Sequence, residues 1–494
     1  MGIIARQATL NAALAYVGIA LGFVNVVLLY PKILPADQFG LTRLLVSIAA
    51  IAAQFAQLGM DNTVIRYFPY FRDQERAHNG LLGLVLGIGT AGALTAMFVL
   101  WAFHQRFALW FGTSDGLYAS YGLVVLPLVL SEVYFFLFRS YSRSIHRSIV
   151  PTFTREFLLR GLQMLLIVAQ ARWHFELRTF MLLYSLTFLI STGALILDLW
   201  RSGTLKFGFR ELRLPKRLSR SMSRYALFTF GSGLAMITLG NIDQLMVGVM
   251  IKDGLDKVAY YAVAFYIASI ILIPARALVL PTMPILAEAW KRRDRALIAT
   301  IYDRSVGVQL AIGGYLFLCM FASMDLIFFL LRPGYEQAHD CLLILGLNNV
   351  LILSTGLSGG ILATSRSYLF DAMTGVILVI LNVTLDYMLI LWLGMVGAAW
   401  SSLFSFGTIV IWRVLFLKKR FGFWPFDRTT WSAWLLIGVV SMLVWLLPSS
   451  GHPLLDAGIG VALISALFWP TIHYLRIAPD LSAQLRLLIQ RFRS

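Results

Sequence analysis

The residues of this sequence best placed to do chemistry are ionisable side chains set inside long apolar runs. Arg139 lies near the end of the run 117–140, with Glu132 seven residues earlier on nearly the same helical face. Arg143 and Arg147 continue that face. Arg276 stands in the apolar stretch 270–280, and Asp243 in the segment Asn241-Ile242-Asp243-Gln244. Glu156 and Arg160 are four residues apart, the spacing of a helical ion pair. Asp61 and Arg66 close another apolar run, where they either gate or cap. Asn25, Gln54 and Gln57 give the first two runs a polar side, which either lines a passage or holds helices together. A charge inside a membrane span costs at least ~2.5 kcal/mol and is retained for a partner or a pathway. Arg139 either lines a cavity or snorkels to the interface. Arg276 either contacts an anion through its planar fork or pairs with a buried carboxylate. Asp243 either carries a coupling ion or proton or pairs with an arginine of its own lobe. Asn382 and Asp386 read as structural.

The elements that must hold these groups are membrane helices. Of 494 residues, 59% are hydrophobic and 13% charged, with a mean hydropathy of +0.78. Soluble domains run about 45–50% apolar and about 25% charged, so lipid is the solvent for much of this chain. At about 20 apolar residues per crossing, helices are expected at 10–34, 40–62, 79–103, 117–140, 150–170, 178–199, 225–250, 258–287, 304–331, 338–362, 369–391, 394–417, 430–448 and 453–475. The stretch 150–170, with Arg155, Glu156 and Arg160, is the least apolar of the fourteen. The first apolar run continues for full bilayer length, so a retained helix rather than a cleaved signal is expected.

There are 41 Lys and Arg against 24 Asp and Glu. With the N-terminus inside, most of the basic residues fall on cytoplasmic ends and loops, above all Arg201–Arg224, Lys291–Arg295 and Lys418–Arg420. This alternation explains the basic balance as topology signals facing anionic lipid, without nucleic acid. Both termini are expected in the cytoplasm. The two cysteines, Cys319 and Cys341, lie in apolar runs and imply neither a disulfide framework nor a metal cluster. No cofactor or prosthetic group is indicated.

The basic segment 201–224 separates helices 1–6 (1–200, an N-lobe) from helices 7–12 (225–417, a C-lobe), and 418–494 supplies helices 13–14 and a tail. A weak repeat supports the division. Phe39 through Arg76 reads as a long apolar helix, then prolines or aromatics, then RDQER, and Tyr260 through Arg295 reads likewise to KRRDR. Internal repeats of this kind belong to transporters.

Four segments carry a resemblance. Leu58-Gly59-Met60-Asp61 runs into Val64-Ile65-Arg66-Tyr67, and Asn241 through Gly248 comes next, in the seventh helix. Tyr260-Tyr261-Ala262-Val263-Ala264 opens a helix reaching Pro281 and Pro284, and Leu393-Gly394-Met395-Val396-Gly397-Ala398-Ala399-Trp400 opens the twelfth. In this order and spacing, over nearly the whole chain, the sequence resembles the polysaccharide transporter branch of the MOP exporter superfamily. That branch includes O-antigen and capsule-repeat flippases, and its relatives are lipid II flippases and MATE drug exporters. The resemblance implies an all-α integral membrane protein of about fourteen transmembrane helices, V-shaped, with two six-helix lobes plus two C-terminal helices. It also implies movement of undecaprenyl-diphosphate-linked oligosaccharide from the inner to the outer leaflet of the bacterial cytoplasmic membrane by alternating access. Arg276 resembles the cavity cation of the eighth helix in lipid II flippases. With it, Arg139, Arg66 and Arg160 become candidates for the diphosphate, and Asn25 and Gln57 for the glycan. Asp243, Glu132 and Asp61 become candidates for coupling, by Na+ or H+, or for gating. The first helix lacks the buried arginine of the lipid II flippases, which favours another lipid-linked glycan. Association with glycan polymerase machinery fits such a role.

Two other functions compete. A MATE-like exporter of cations would need an acid-rich cavity, whereas arginines outnumber the candidate cavity acids here. An intramembrane glycan polymerase or ligase would need a substantial catalytic outer loop, and the longest, near His104–Gly116 and Arg332–His339, carry no convincing cluster. No Walker-type phosphate loop is present. A transporter rather than an enzyme is the expectation.

Overall fold

The structure, a computed structural model, describes residues 3–73, 77–111, 116–205 and 215–479. The end of the first RDQER stretch (74–76), part of the outer loop near Gly116 (112–115), the middle of the basic segment (206–214) and the tail beyond 479 lie outside the described residues. In chain order the long helices are α1 (Leu10–Ile33), α2 (Ala36–Phe71), α3 (Leu81–Ala102), α4 (Leu117–Ser144), α5 (149–173), α6 (Leu177–Arg201) and α7 (Lys216–Met250). They continue as α8 (254–292), α9 (Arg295–Ala322), α10 (Tyr335–Leu353 bent into Ser358–Thr364), α11 (Leu369–Leu393), α12 (Met395–Phe421), α13 (Arg428–Trp445) and α14 (Pro453–Tyr474). No strand occurs among the described residues.

Among the described residues, eleven helices are long and apolar enough to cross a membrane, and α10, bent by 48°, makes twelve if it counts as one span. The expected fourteen also included α5 and α7. Both are long enough, but α5 carries Arg155, Glu156, Arg160 and Arg172, and only 237–250 of α7 is apolar throughout. Exposed tryptophans sit near helix ends, as Trp101, Trp173, Trp200, Trp392 and Trp445 do. That is where an indole meets the headgroup layer. Leu182, Leu186 and Ile190 run exposed along α6 at helical spacing, a lipid-facing stripe.

The chain divides into two compact units, one ending at Ala262 and the other beginning at Val263. In the first, α2 is the hub, packed by α3, α4 and α7. Glycines let these backbones meet, as small residues do between membrane helices. A Cβ at Gly40 would fall 1.8 Å from the Leu255 carbonyl oxygen, and one at Gly92 would fall 2.0 Å from that of Ala56. In the second unit, α12 packs on α10 and α11, and α9 on α13 and α14. Arg413 of α12 ties to α11 through Asp371 at 2.9 Å and Thr374 at 3.0 Å.

Outside the spans, Asp427 caps the start of α13, accepting from the Thr430 amide at 2.8 Å and from the Thr429 hydroxyl at 2.7 Å. Partial burial pushes its carboxyl up, but the hydrogen bonds from Thr430 and Thr429 outweigh it and hold the group below the usual carboxylate range. A depressed folded pKa contributes stability above the unfolded value that disappears as pH falls through the folded one. Asp427→Ala should therefore cost ~1 kcal/mol near neutrality, the usual worth of an N-cap, and its deficit against wild type should shrink on acidification. Thermal melts in detergent over a pH series check this, and a deficit independent of pH would reject the charged cap.

Candidate functional site

The first unit gathers its intramembrane charges around α4. Glu132 is 2% exposed, and Arg155 grips it with both guanidinium nitrogens, at 2.6 and 3.1 Å. The fork geometry suits a carboxylate. Arg155 is aimed there by a π-helical turn, Phe153–Leu158, which inserts an extra residue into α5 and shifts the register of the rest of that helix. Its guanidinium lies 5.1 Å from the Phe135 ring and 5.7 Å from that of Phe188. Hydroxyls close the remaining contacts: Ser191 donates to the Thr154 carbonyl at 2.8 Å, and Ser131 and Thr192 meet at 2.8 Å. Thus α4, α5 and α6 hold the pair from three sides.

One turn pair further along α4, Arg139 lies over Phe136 at 4.7 Å, and its buried Nε has no hydrogen-bond partner among the described residues. It is attracted by Asp61 and Glu132 and repelled by Arg143 and Arg155, and Asp61 in turn feels Arg143. From α2, Arg43 reaches over the rings of Tyr30 at 5.8 Å and Phe39 at 5.4 Å. It acts electrostatically on Tyr184, as do Arg155 and Glu132. The Arg43 Nε is likewise buried without a partner among the described residues. Arg139, Arg143 and Arg155 therefore interact with two carboxylates, Asp61 and Glu132, while Arg43, near the other end of α2 from Asp61, stands apart. The surplus is positive, and the Arg139 guanidinium keeps hydrogen-bonding capacity. Such a cluster is built to receive an anion.

Residues 4–290 match the profile of a family described as polysaccharide biosynthesis protein. The chain belongs to this family. Its fold is that of the lipid II flippase and MATE transporters among solved structures. Among solved structures it is similar to the lipid II flippase MurJ in an inward closed conformation, with TM-score 0.71 and 13% identity, covering 94% of this chain and 99% of that one. It is also similar to an inward-facing multidrug resistance MATE family transporter of the MOP superfamily, with TM-score 0.60 and 15% identity, covering 83% and 94%. No curated protein matches. The family, the fold and the many apolar helices make the chain a multi-pass membrane protein of a polysaccharide biosynthesis family.

The other polar residues of this polysaccharide biosynthesis protein divide between its two units. Arg160 pairs with Glu156 at 2.9 Å and donates to the Gly18 carbonyl, tying α5 to α1. Asn25 is buried on a π-helical turn of α1, Val24–Leu29, and donates to the Arg160 carbonyl at 2.8 Å. Gln57 is buried and bonds to Gln54. Asn25 and Gln57 are thus engaged inside the helix bundle. Asp243 is buried and accepts from the Tyr261 hydroxyl at 2.5 Å. Arg66 is exposed and stacks over Tyr225 at 4.2 Å. In the second unit Arg276 is exposed, four residues past a 3-10 turn (Ser269–Leu272) that interrupts α8. Among the described residues no hydrogen bond or ion pair holds it. Asn382 and Ser401 bond to each other across α11 and α12 at 3.3 Å.

Two of these arginines were missed from sequence. Arg43 is a lone cation in the first turns of α2, and that signal was available. Arg155 was visible only as a charge in a weak span, because its partner is 23 residues away and on another helix.

Proposed function

We propose that this transporter carries an undecaprenyl-diphosphate-linked oligosaccharide from the inner to the outer leaflet of the bacterial cytoplasmic membrane by alternating access. The observation that supports this reading best is the surplus of arginine around Asp61 and Glu132 in the first unit. A diphosphate brings acceptor oxygens and negative charge, which Arg139 is free to meet, whereas a cationic cargo would be repelled. Arg155 is a positioning residue, held by Glu132, and Arg276 of the second unit is a separate candidate contact for the diphosphate. The lobes of the cycle are helices α1–α6 and α7–α12, with α13–α14 as an added pair and both termini cytoplasmic. Membership of a polysaccharide biosynthesis family and the fold of a lipid II flippase fit the same cargo.

Native mass spectrometry of the purified protein with an undecaprenyl-diphosphate glycan tests the reading. Wild type should retain the lipid. Arg139→Gln and Arg276→Gln should each weaken it by ~10- to 100-fold, since a hydrogen bond to a charged group is worth about 1.5–3 kcal/mol. Retention unchanged in both variants would remove these arginines from the site. Binding of cationic drugs in place of the lipid would replace the proposal with a MATE-like exporter.

A further inference from the structure

The start of α7 carries a second cationic feature, separate from the buried cluster. Lys216, Arg217, Arg220, Ser221 and Arg224 line a shallow cavity of about 350 Å³. The four cations are all exposed. No acid occurs on α7 before Asp243. The helix is fixed in place from the side: Ser221 shares a 2.8 Å hydrogen bond with the Tyr67 hydroxyl of α2, and Tyr225 stacks beneath Arg66. The same helix then turns apolar at once, with Leu227 72% and Phe228 43% exposed. Arg217, Arg220, Arg224 and Leu227 succeed one another at three- and four-residue steps, and Phe228 lies four beyond Arg224. They form one stripe, since residues three and four apart share a helix face. The stripe changes from cationic to apolar within one turn.

We propose that this stripe binds the headgroup of an anionic glycerophospholipid of the surrounding bilayer, with the phosphodiester on Arg220 and Arg224 and an acyl chain along Leu227 and Phe228. The head-to-tail order of the stripe selects an amphiphile over a soluble anion, because a free phosphate gains nothing from the exposed Leu227 and Phe228. It also differs from the other basic concavity, at Lys291 and Arg292 on α8, where Glu288 neutralises Arg292 through an ion pair at 2.5 Å. A basic residue at an anionic membrane surface contributes about fivefold in lipid partitioning, so two of them contribute about 25-fold. Anchoring of this kind would fix the membrane depth of α7 independently of the transported cargo.

The test is titration of the delipidated full-length protein with phosphatidylglycerol and with phosphatidylcholine, read by native mass spectrometry. Wild type should retain phosphatidylglycerol preferentially. Arg220→Gln/Arg224→Gln, which keeps Lys216 and Arg217 as topology signals, should lose that preference by about 25-fold. Lys291→Gln/Arg292→Gln should keep it. Leu227→Ser should weaken retention of the lipid with all four cations intact. Equal retention of both lipids by wild type, or an unchanged preference in Arg220→Gln/Arg224→Gln, overturns the site. Competition by inorganic pyrophosphate at the lipid's own affinity makes it a soluble-anion site and also overturns it. So does a loss in this variant confined to the undecaprenyl-diphosphate glycan, which would make the stripe a cargo site.

Discussion

Arg155→Met should destabilise the protein by ~3 kcal/mol and abolish transport, the largest effect expected of any single change in the buried cluster. Removing one member of a buried ion pair strands the other charge, which costs about 3–5 kcal/mol. Here the side chain of Arg155 is 32% accessible while Glu132 is 2% accessible, so the lower end applies. The sign of the effect depends on which partner goes. Glu132→Leu leaves a guanidinium that can reach solvent and should cost less. The double variant Glu132→Leu/Arg155→Met strands nothing and should recover most of the stability, because an apolar pair of similar volume is often neutral or better than a buried ion pair. Transport should not return with it, since Arg139 then loses both Glu132, which attracts it, and Arg155, which repels it, and is positioned by Asp61 and Arg143 alone. Detergent melts and a leaflet-exchange assay in liposomes separate the two readouts. Arg155→Met melting with the wild type would show that Glu132 is satisfied elsewhere. Recovery of transport in the double variant would show that the pair is only structural.

The range over which each signal acts decides how much of the fold and site the sequence reveals. The helices were legible because hydropathy is a local sum, and so was the Glu156–Arg160 pair, since both partners lie on one face of one helix. The family was legible because its motifs are contiguous. The Glu132–Arg155 pair was not, because it joins α4 to α5 and depends on a π-helical turn that no residue of Phe153–Leu158 announces by type. Asn25 and Gln57 looked like a polar face for sugar, yet polar side chains inside a bundle also satisfy backbone carbonyls and one another. Which role prevails depends on the neighbouring helix, a fact absent from one-dimensional spacing. Asp243 illustrates the same limit: its contact with Tyr261 spans 18 residues and two helices. Arg276 was singled out as a cation within an apolar run. Its exposure past a 3-10 break, with Pro274 two residues before it, depends on how α8 is interrupted.

Gly59→Ala should be the most damaging substitution of a residue that carries no functional group. Two successive left-handed residues, Leu58 at φ 50° and Gly59 at φ 72°, break α2 between Gln57 and Met60. Leu58 accepts that conformation at a cost of about 1–2 kcal/mol. Gly59 does so without strain, and alanine there would add a similar cost. Steric contact adds to it. A Cβ would come 2.2 Å from the Ala226 carbonyl oxygen and 2.8 Å from the Phe230 amide nitrogen, both backbone atoms of α7 that cannot swing aside. Overpacking of this kind costs about 1–3 kcal/mol, so ~3 kcal/mol in total is expected. The Gly59 carbonyl accepts from Thr63 at 2.9 Å and from Thr229 at 3.3 Å, so a displaced break also unseats the contact between α2 and α7. Gly87→Ala is the matched control. It lies inside α3 with nothing within 4 Å of a new Cβ, and alanine should be neutral or stabilising by ~0.5–1 kcal/mol. Thermal melts of the two variants side by side decide the matter. Equal behaviour would mean that α7 can retreat from the break, and that the Leu-Gly-Met-Asp motif is there for some reason other than this backbone contact.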